Sequence, residues 1–249
     1  MSKVIIDGDS YIYKASCACS RLFNIEGDIY YEGYDLNRAR EYMKDIVTLI
    51  CDKCSVNDYI IVLAHNGTKN FRYTINPNYK SNRKNIKRPI MLDLVRDMVV
   101  NEFTTASLPY LEADDVVRIM YESGEGNSIA SIDKDLKTFP CKIYDSYHDT
   151  FTYVMPQQAE ANFKRQLLIG DKTDGYSGLP KVGPATADKL ILDGITIDEI
   201  AQMYIDKGLG IETFETVYNC AKILSKHDYK DGIIKLYGGK TLDTTRIQQ

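Results

Sequence analysis

"KVIIDGD", residues 3–9, is the stretch on which the fold turns. A short apolar run that ends in acids reads as a buried strand, with Asp7 and Asp9 at its carboxyl end. Working outward, "DYIIVLA" (58–64), "NSIASID" (127–133) and "CKIYDS" (141–146) read as three more strands, and "TFTYVM" (150–155) as a short addition. Helical spacing fills the gaps. In "DLNRAREYMKDIVTLICDKC" (35–54) the apolar residues Ala39, Tyr42, Met43, Ile46, Leu49 and Ile50 share a face, and Asp35 is the expected N-cap. "PIMLDLVRDMVVNEF" (89–103) reads as a helix opened by Pro89, and "LEADDVVRIMYES" (111–123) as one with acids in its first turn.

Strands alternating with helices predict a mostly parallel sheet with helices on both faces, over residues 1–155. The pattern then turns helical, with "PQQAEANFKRQLLI", "GPATADKLILD", "TIDEIAQMYIDKG" and "IETFETVYNCAKILSKH", so 156–249 is expected to be a helical region with a loose tail from Thr241. The 249 residues are 44% hydrophobic and 27% charged, which fits a soluble chain with a sizeable core. No apolar run is long enough to span a bilayer, and the N-terminus enters a strand without a leader pattern. A cytoplasmic monomer with no membrane partner is expected. That setting favours free thiols for the six cysteines; a zinc site from Cys17, Cys19, Cys51 and Cys54 is the weaker reading, because Cys17 and Cys19 point about 200° apart on a helix.

Four acidic clusters stand out: Asp7 and Asp9, then Glu112, Asp114 and Asp115, then Asp133 and Asp135, then Asp171 and Asp174. Each alone is an ordinary turn or helix-start feature. Together they are harder to explain, since two clusters end strands expected to be parallel neighbours. Crowded carboxylates are forced to protonate unless cations lie between them. Hard oxygen donors favour Mg²⁺ or Mn²⁺, and two such ions roughly 4 Å apart suit displacement at phosphorus. An EF-hand fails on spacing, because Gly175 at loop position 6 puts Gly170 at position 1 and Lys181 at position 12. The start "IIDGDS" is also similar to haloacid-dehalogenase phosphatases, which use few other acids.

The net charge is −4, from 31 basic and 35 acidic residues, and two divalent ions would cancel it. The distribution matters more: "KSNRKNIKR" (80–88) holds five cations and no acid. It reads either as a solvated loop or as a phosphate-contacting segment in which Tyr79 stacks on a base. "GLPKVGPATADKL" (178–190) ends in a helix start suited to a phosphate.

"IIDGDS", "PNYKSNRK", "LEADDV", "SIDKDLKTFP" and "GDKTDGYSGLPKVGPATA" occur together and in this order, spanning Ile5 to Ala187. In this the chain resembles the 5′-nuclease (flap endonuclease) superfamily, closest to its phage-encoded 5′→3′ exonucleases. The resemblance implies a PIN-like α/β core, a basic arch or gateway segment at about 66–102, and a helix-three-turn-helix motif at about 168–193 that grips duplex backbone. It implies two Mg²⁺ ions, with Mn²⁺ able to substitute, and K⁺ at the helix-three-turn-helix. Asp7, Glu112, Asp114, Asp133, Asp135 and Asp174 match the family's metal carboxylates, and Asp115 and Asp171 its extra acids. Tyr79, Lys80 and Arg83 match gateway residues, with Lys80 and Arg83 on the scissile phosphate. Lys84, Lys87, Arg88, Gly178, Lys181, Gly183 and Thr186 are the further DNA-binding expectations. Substrates would be duplex DNA with a free 5′ end or a 5′ flap, and RNA–DNA hybrids.

Two departures stand out. The family's metal-site Asp after the second strand is missing from "LAHNGTKNFR" (63–72), leaving His65, Asn66 or Asp9 to take its place. The duplex-binding turn reads Lys181-Val182-Gly183-Pro184-Ala185 where Gly-Ile-Gly-Pro-Lys is usual. The rival expectations are a non-catalytic, structure-specific DNA-binding protein that keeps the fold, and a PIN-type ribonuclease.

Overall fold

Val4 and Ile6 point to one side of strand β1 (Lys3–Asp7) and Ile5 to the other, and all three are fully buried. A strand apolar on both faces belongs at the centre of a covered parallel sheet. The structure, a computed structural model, describes residues 2–27, 29–65, 70–85 and 87–246, without the side chains at 20–23, 25, 29–32, 84 and 85. It places β1 between β4 (Asp58–Val62) and β6 (Ser128–Ala130). The sheet runs β5 (Thr105–Ala106), β4, β1, β6, β7 (Cys141–Asp145), β8 (Thr150–Val154). Every neighbouring pair is parallel except β7 with β8, so the short addition is an antiparallel edge strand.

Helices α1 (Gly8–Ala18), α2 (Leu36–Cys54) and α4 (Leu92–Glu102) cover one face through Tyr11, Ile12, Met43, Ile50, Val95 and Val99. Helix α5 (Ala113–Glu122) covers the other with Val116, Val117 and Met120. Asp35 caps α2 as expected, accepting from the Asn37 and Arg38 N–H groups. Gly8 lets α1 leave β1 tight against β4, because a Cβ there would lie 2.4 Å from Ile61 Cγ2. Helix α4 starts at Leu92, three residues later than Pro89 suggested, because Pro89–Met91 forms a turn in which Leu92 N–H meets the Pro89 carbonyl. A β2–β3 hairpin (Ser20–Glu26, Ile29–Tyr34) was not read from the sequence.

A third core lies in the helical part, where Leu167, Leu168, Ala187, Ile200, Tyr204, Phe214 and Val217 pack together. They come from α6 (Pro156–Ile169), α7 (Pro184–Leu192), α8 (Ile197–Asp206) and α9 (Ile211–Ala221). The end of the chain departs from the expected loose tail. Strands β11 (Tyr229–Lys230), β12 (Ile233–Lys235) and β13 (Thr241–Asp243) form a small antiparallel sheet, and Thr244 is buried. Ile223, Leu224 and Ile234 join the α5-side core, so this segment packs on the α/β part. Residues 247–249 lie outside the described residues. Among the described residues no helix is long and apolar enough to cross a membrane.

One buried ion pair ties these parts together. Arg72, in the short helix α3 (Arg72–Ile75), makes a two-bond fork to Asp115 at 2.7 and 2.8 Å. Arg72 also donates to the Cys220 and Lys222 carbonyls, and Asp115 accepts from the Leu224 N–H. Removing one partner strands the other charge in a dry site, at a cost of about 3–5 kcal/mol. Arg72→Ala is therefore expected to lower urea stability by that order. The double variant Arg72→Met/Asp115→Leu should lose less than the two single variants summed, and full additivity would rule out the coupling.

Candidate active site

Parallel strands deliver their carboxyl ends to one edge, which is where α/β sheets build sites. Asp7 is the last residue of β1, Asp133 and Asp135 follow β6, and Glu112 is the N-cap of α5 with Asp114 in its first turn. Ser131, which sequence reasoning missed, organises this edge. Its hydroxyl donates to Asp7 Oδ2 at 2.7 Å and accepts the Asp133 N–H at 2.9 Å, and Asp133 Oδ1 accepts the Asp135 N–H at 2.8 Å. The signal lay within the quoted run "SIASID", but nothing in spacing distinguishes a site serine from a strand serine.

Burial pushes the Asp7 carboxyl up to about 7, with Asp9 and Asp133 adding repulsion against the Ser131 hydrogen bond. Burial, then Asp7, Asp133 and Glu112, raise Asp114 well above the ordinary carboxylate range. Burial and Asp133 raise Asp135 to about 6, with smaller contributions from Asp171 and Asp174. The acids thus form two adjoining groups, one around Asp7, Asp114 and Glu112 and one around Asp135, Asp171 and Asp174, with Asp133 acting on both.

The second group is brought in by the turn after β9 (Gly170–Asp171). Asp171 Oδ1 accepts the Thr173 N–H and Lys134 Nζ lies 3.3 Å from its other oxygen, and these contacts outweigh burial and hold its carboxyl below the ordinary range. The gateway segment folds directly onto the acids. Lys80 N–H donates to the Asp174 carbonyl at 2.8 Å, its Nζ reaches Glu112 Oε1 at 2.6 Å, and Arg83 reaches Asp174 Oδ1 at 2.7 Å. Lys80 takes a positive φ of 51°, a left-handed conformation that a non-glycine residue adopts at some cost. Burial opposes ionisation of Glu112, but Lys80 and Arg72 outweigh it and hold its carboxyl below the ordinary range.

Several expectations change. Asp115 is fully buried, with both oxygens taken by Arg72 and by backbone N–H groups; it is an internal ion-pair partner and not an open ligand. Tyr79 is buried, and its hydroxyl donates toward Glu112 and Asp174 at 3.0 Å, so it braces the acids and offers no face for a base. Asp9 is the candidate that reaches the acid-free segment after β4. Its Oδ2 accepts the Ala64 N–H at 3.2 Å and its Oδ1 meets Arg96 at 2.9 Å, a cation sequence reasoning did not single out. His65 packs near Tyr110, and Asn66 lies outside the described residues. The Lys84 side chain also lies outside the description. Lys87 and Arg88 are exposed and border a cavity of about 260 Å³ against Tyr13, Ser16, Cys17 and Tyr34.

In the expected duplex-binding turn, Gly178 serves packing. A Cβ there would lie 2.3 Å from the Ile169 carbonyl carbon. Lys181 is exposed with φ 63°, Gly183 caps α7, and Thr186 is exposed in its first turn. Among the described residues no three acidic, imidazole or thiol side chains already surround one ion-sized point, and Lys80, Arg83, Lys134 and Ser131 are bonded to carboxylate oxygens there.

The fold and this acid-lined edge define a nuclease class. A family model described as the 5′-3′ exonuclease, N-terminal resolvase-like domain, matches residues 2–164, and the chain belongs to that family. It is thus an enzyme of the 5′→3′ exonuclease type. The chain is 29% identical over 241 residues to the exonuclease of Escherichia phage T7, covering 88% of this chain and 80% of that protein. It is 28% identical to the exodeoxyribonuclease of Enterobacteria phage T3, covering 88% and 79%. The T5 D15 protein co-crystallised with metal ions shares the fold, at TM-score 0.65 and 15% identity over 89% of each chain.

The raised Asp7 carboxyl has a consequence for stability. Its ordinary value is 3.8 and its folded value about 7, so between these the folded protein keeps a proton that the unfolded chain has released. Stability must then fall as pH rises through that window. Thermal unfolding in chelator should show Tm falling from about pH 4 to pH 7, and Asp7→Asn should flatten the fall. An unchanged slope in Asp7→Asn would mean that Asp7 ionises freely.

Proposed function

We propose that this protein is a Mg²⁺-dependent 5′→3′ exonuclease that enters duplex DNA at a free 5′ end, hydrolyses phosphodiesters to leave 5′-phosphates, and serves phage DNA replication. The observation that carries this reading is the convergence of acids from β1, β6, α5 and the 171–174 turn, with Lys80 and Arg83 folded onto them. The same site would take 5′ flaps and RNA primers in hybrids. Relatives support DNA as substrate, since the bacteriophage T5 flap endonuclease, at TM-score 0.61 and 16% identity, is known in complex with DNA and metal ions.

The donor set fits divalent cations. Asp7 is buried, Asp114 half-buried, and burial and mutual repulsion raise both carboxyls above the ordinary range. Cations held among Asp7, Asp114, Asp133 and Glu112, and among Asp135, Asp171 and Asp174, would relieve that repulsion, and all the donors are hard oxygens. Asp9 would stand in for the acid absent after the second strand. When bound, such ions lower the pKa of a water and offset charge on the phosphate.

The chain's own groups do the positioning. Lys80 stays charged, because Glu112 and Asp174 outweigh the opposing effect of its burial. Lys80 and Arg83 are close enough to the acids to exchange a carboxylate for a scissile phosphate. Tyr79 keeps Glu112 and Asp174 at a fixed spacing. The helical region, with Lys181, Gly183 and Thr186 at the start of α7, holds duplex backbone and admits K⁺ at the turn. Residues 1–155 would carry the chemistry together with Asp171 and Asp174, and the helical region 156–249 the grip, with 223–246 bracing the core.

Asp135→Ala or Asp174→Ala should abolish release of product from a 5′-labelled duplex while leaving DNA binding in place, and chelator should do the same to the wild type. Cleavage at the wild-type rate by either variant would refute the assignment. Lys80→Ala should lower the single-turnover rate more than it weakens Kd; a weaker Kd at unchanged rate would remove Lys80 from the site.

A further inference from the structure

Gln166 is the one residue among those described whose side chain has a buried polar atom without a hydrogen-bond partner, its Oε1. It sits on the last turns of α6, facing the acid-lined edge, and its Nε2 donates to Asp135 Oδ1 at 2.9 Å. The amide cannot be turned round to satisfy Oε1, because that would set two acceptors against each other. The neighbouring cation is also committed elsewhere: Lys134 Nζ lies 3.3 Å from Asp171 and 4.0 Å from Asp135, and its side chain is largely exposed. A buried carbonyl oxygen without a donor is destabilising, and such a group in a folded protein points to a water or an ion. If Gln166 served only to fill space, an apolar side chain of the same length would do so without this cost.

We infer that Gln166 is a positioning residue: its amide holds Asp135 in place, and its carbonyl oxygen accepts from the hydration shell of a divalent cation bound beside Asp135. The inference rests on the metal-dependent reading above. Groups that orient a ligand in this way commonly change metal affinity by about 10–100-fold when removed. Gln166 thereby extends the site onto α6, the helix that leads into the duplex-binding turn.

The test is a titration of the full chain with Mn²⁺, followed by calorimetry and by the electron paramagnetic resonance of free Mn²⁺, in parallel with kcat and KM on duplex DNA. Gln166→Met keeps length and removes both polar atoms. It should weaken one class of Mn²⁺ site about tenfold or more and lower kcat, with KM for DNA and Tm close to wild type. Gln166→Glu keeps an acceptor oxygen and loses the donor, so it should retain more Mn²⁺ affinity than Gln166→Met and serves as the check if Gln166→Met folds poorly. Wild-type Mn²⁺ affinity in Gln166→Met, or equal losses in both variants, would overturn the inference while leaving the nuclease reading intact. A wild-type protein that binds no Mn²⁺ and cuts no DNA would overturn both.

Discussion

The Arg72–Asp115 pair is the interaction on which the rest depends. Its guanidinium contacts Asp115, the Cys220 and Lys222 carbonyls and, at 3.4 Å, Glu112. Asp115 in turn accepts the Glu112 N–H and the Leu224 N–H. One desolvated ion pair therefore fixes the start of α5, the end of α9 and the entry to the gateway segment. Glu112 is oriented by two cations eight residues apart on the same segment, Arg72 at 3.4 Å and Lys80 at 2.6 Å. A buried pair of this kind is weak evidence for stability but good evidence for register, because any shift of α3 against α5 leaves a charge unpaired.

Charge balance explains why the basic segment lies where it does. The acids of the second group cannot stay ionised and close together without positive charge nearby, and in this structure the charge comes from Lys80, Arg83 and Lys134. The positive φ of Lys80 is the backbone strain that lets its N–H bond Asp174 while its ammonium bonds Glu112. The same side chains that would meet a phosphate hold the acids when none is present, so the site is set for exchange of one anion for another.

Much of this was legible in the sequence. The apolar strand "KVIID", the helix stripe from Ala39 to Ile50 and the acids at strand ends all follow from local chemistry, so the sheet, the covering helices and the acidic edge could be read directly. What could not be read depends on contacts distant in sequence. Asp115 and Asp114 are adjacent acids at a helix start, and only the arrival of Arg72 gives one of them a structural role. Tyr79 within a basic run looks like a stacking residue until burial places its hydroxyl on Glu112. Ser131, Arg96 and Gln166 are ordinary residues in strand and helix patterns, and their roles arise only where other elements approach. The small C-terminal sheet was missed because its strands are two or three residues long, too short for any periodicity to register.

Helix α6 couples the two halves of the molecule. Its final turns hold Asp135 through Gln166, and the carbonyls of Leu168 and Ile169 accept the Leu179 and Gly178 N–H groups of the turn before α7. That contact leaves no room for a side chain at Gly178, so the turn sits directly on the helix end. Arg165, one residue before Gln166, is paired with Asp188 in α7. A displacement of α7 by duplex would therefore be transmitted to α6 through both a charge pair and a backbone seam, and from α6 to Asp135 through a single amide. Because the seam is backbone to backbone and the amide is short, there is little slack in this path, and on the proposed reading the position of the acids would follow how a duplex is seated.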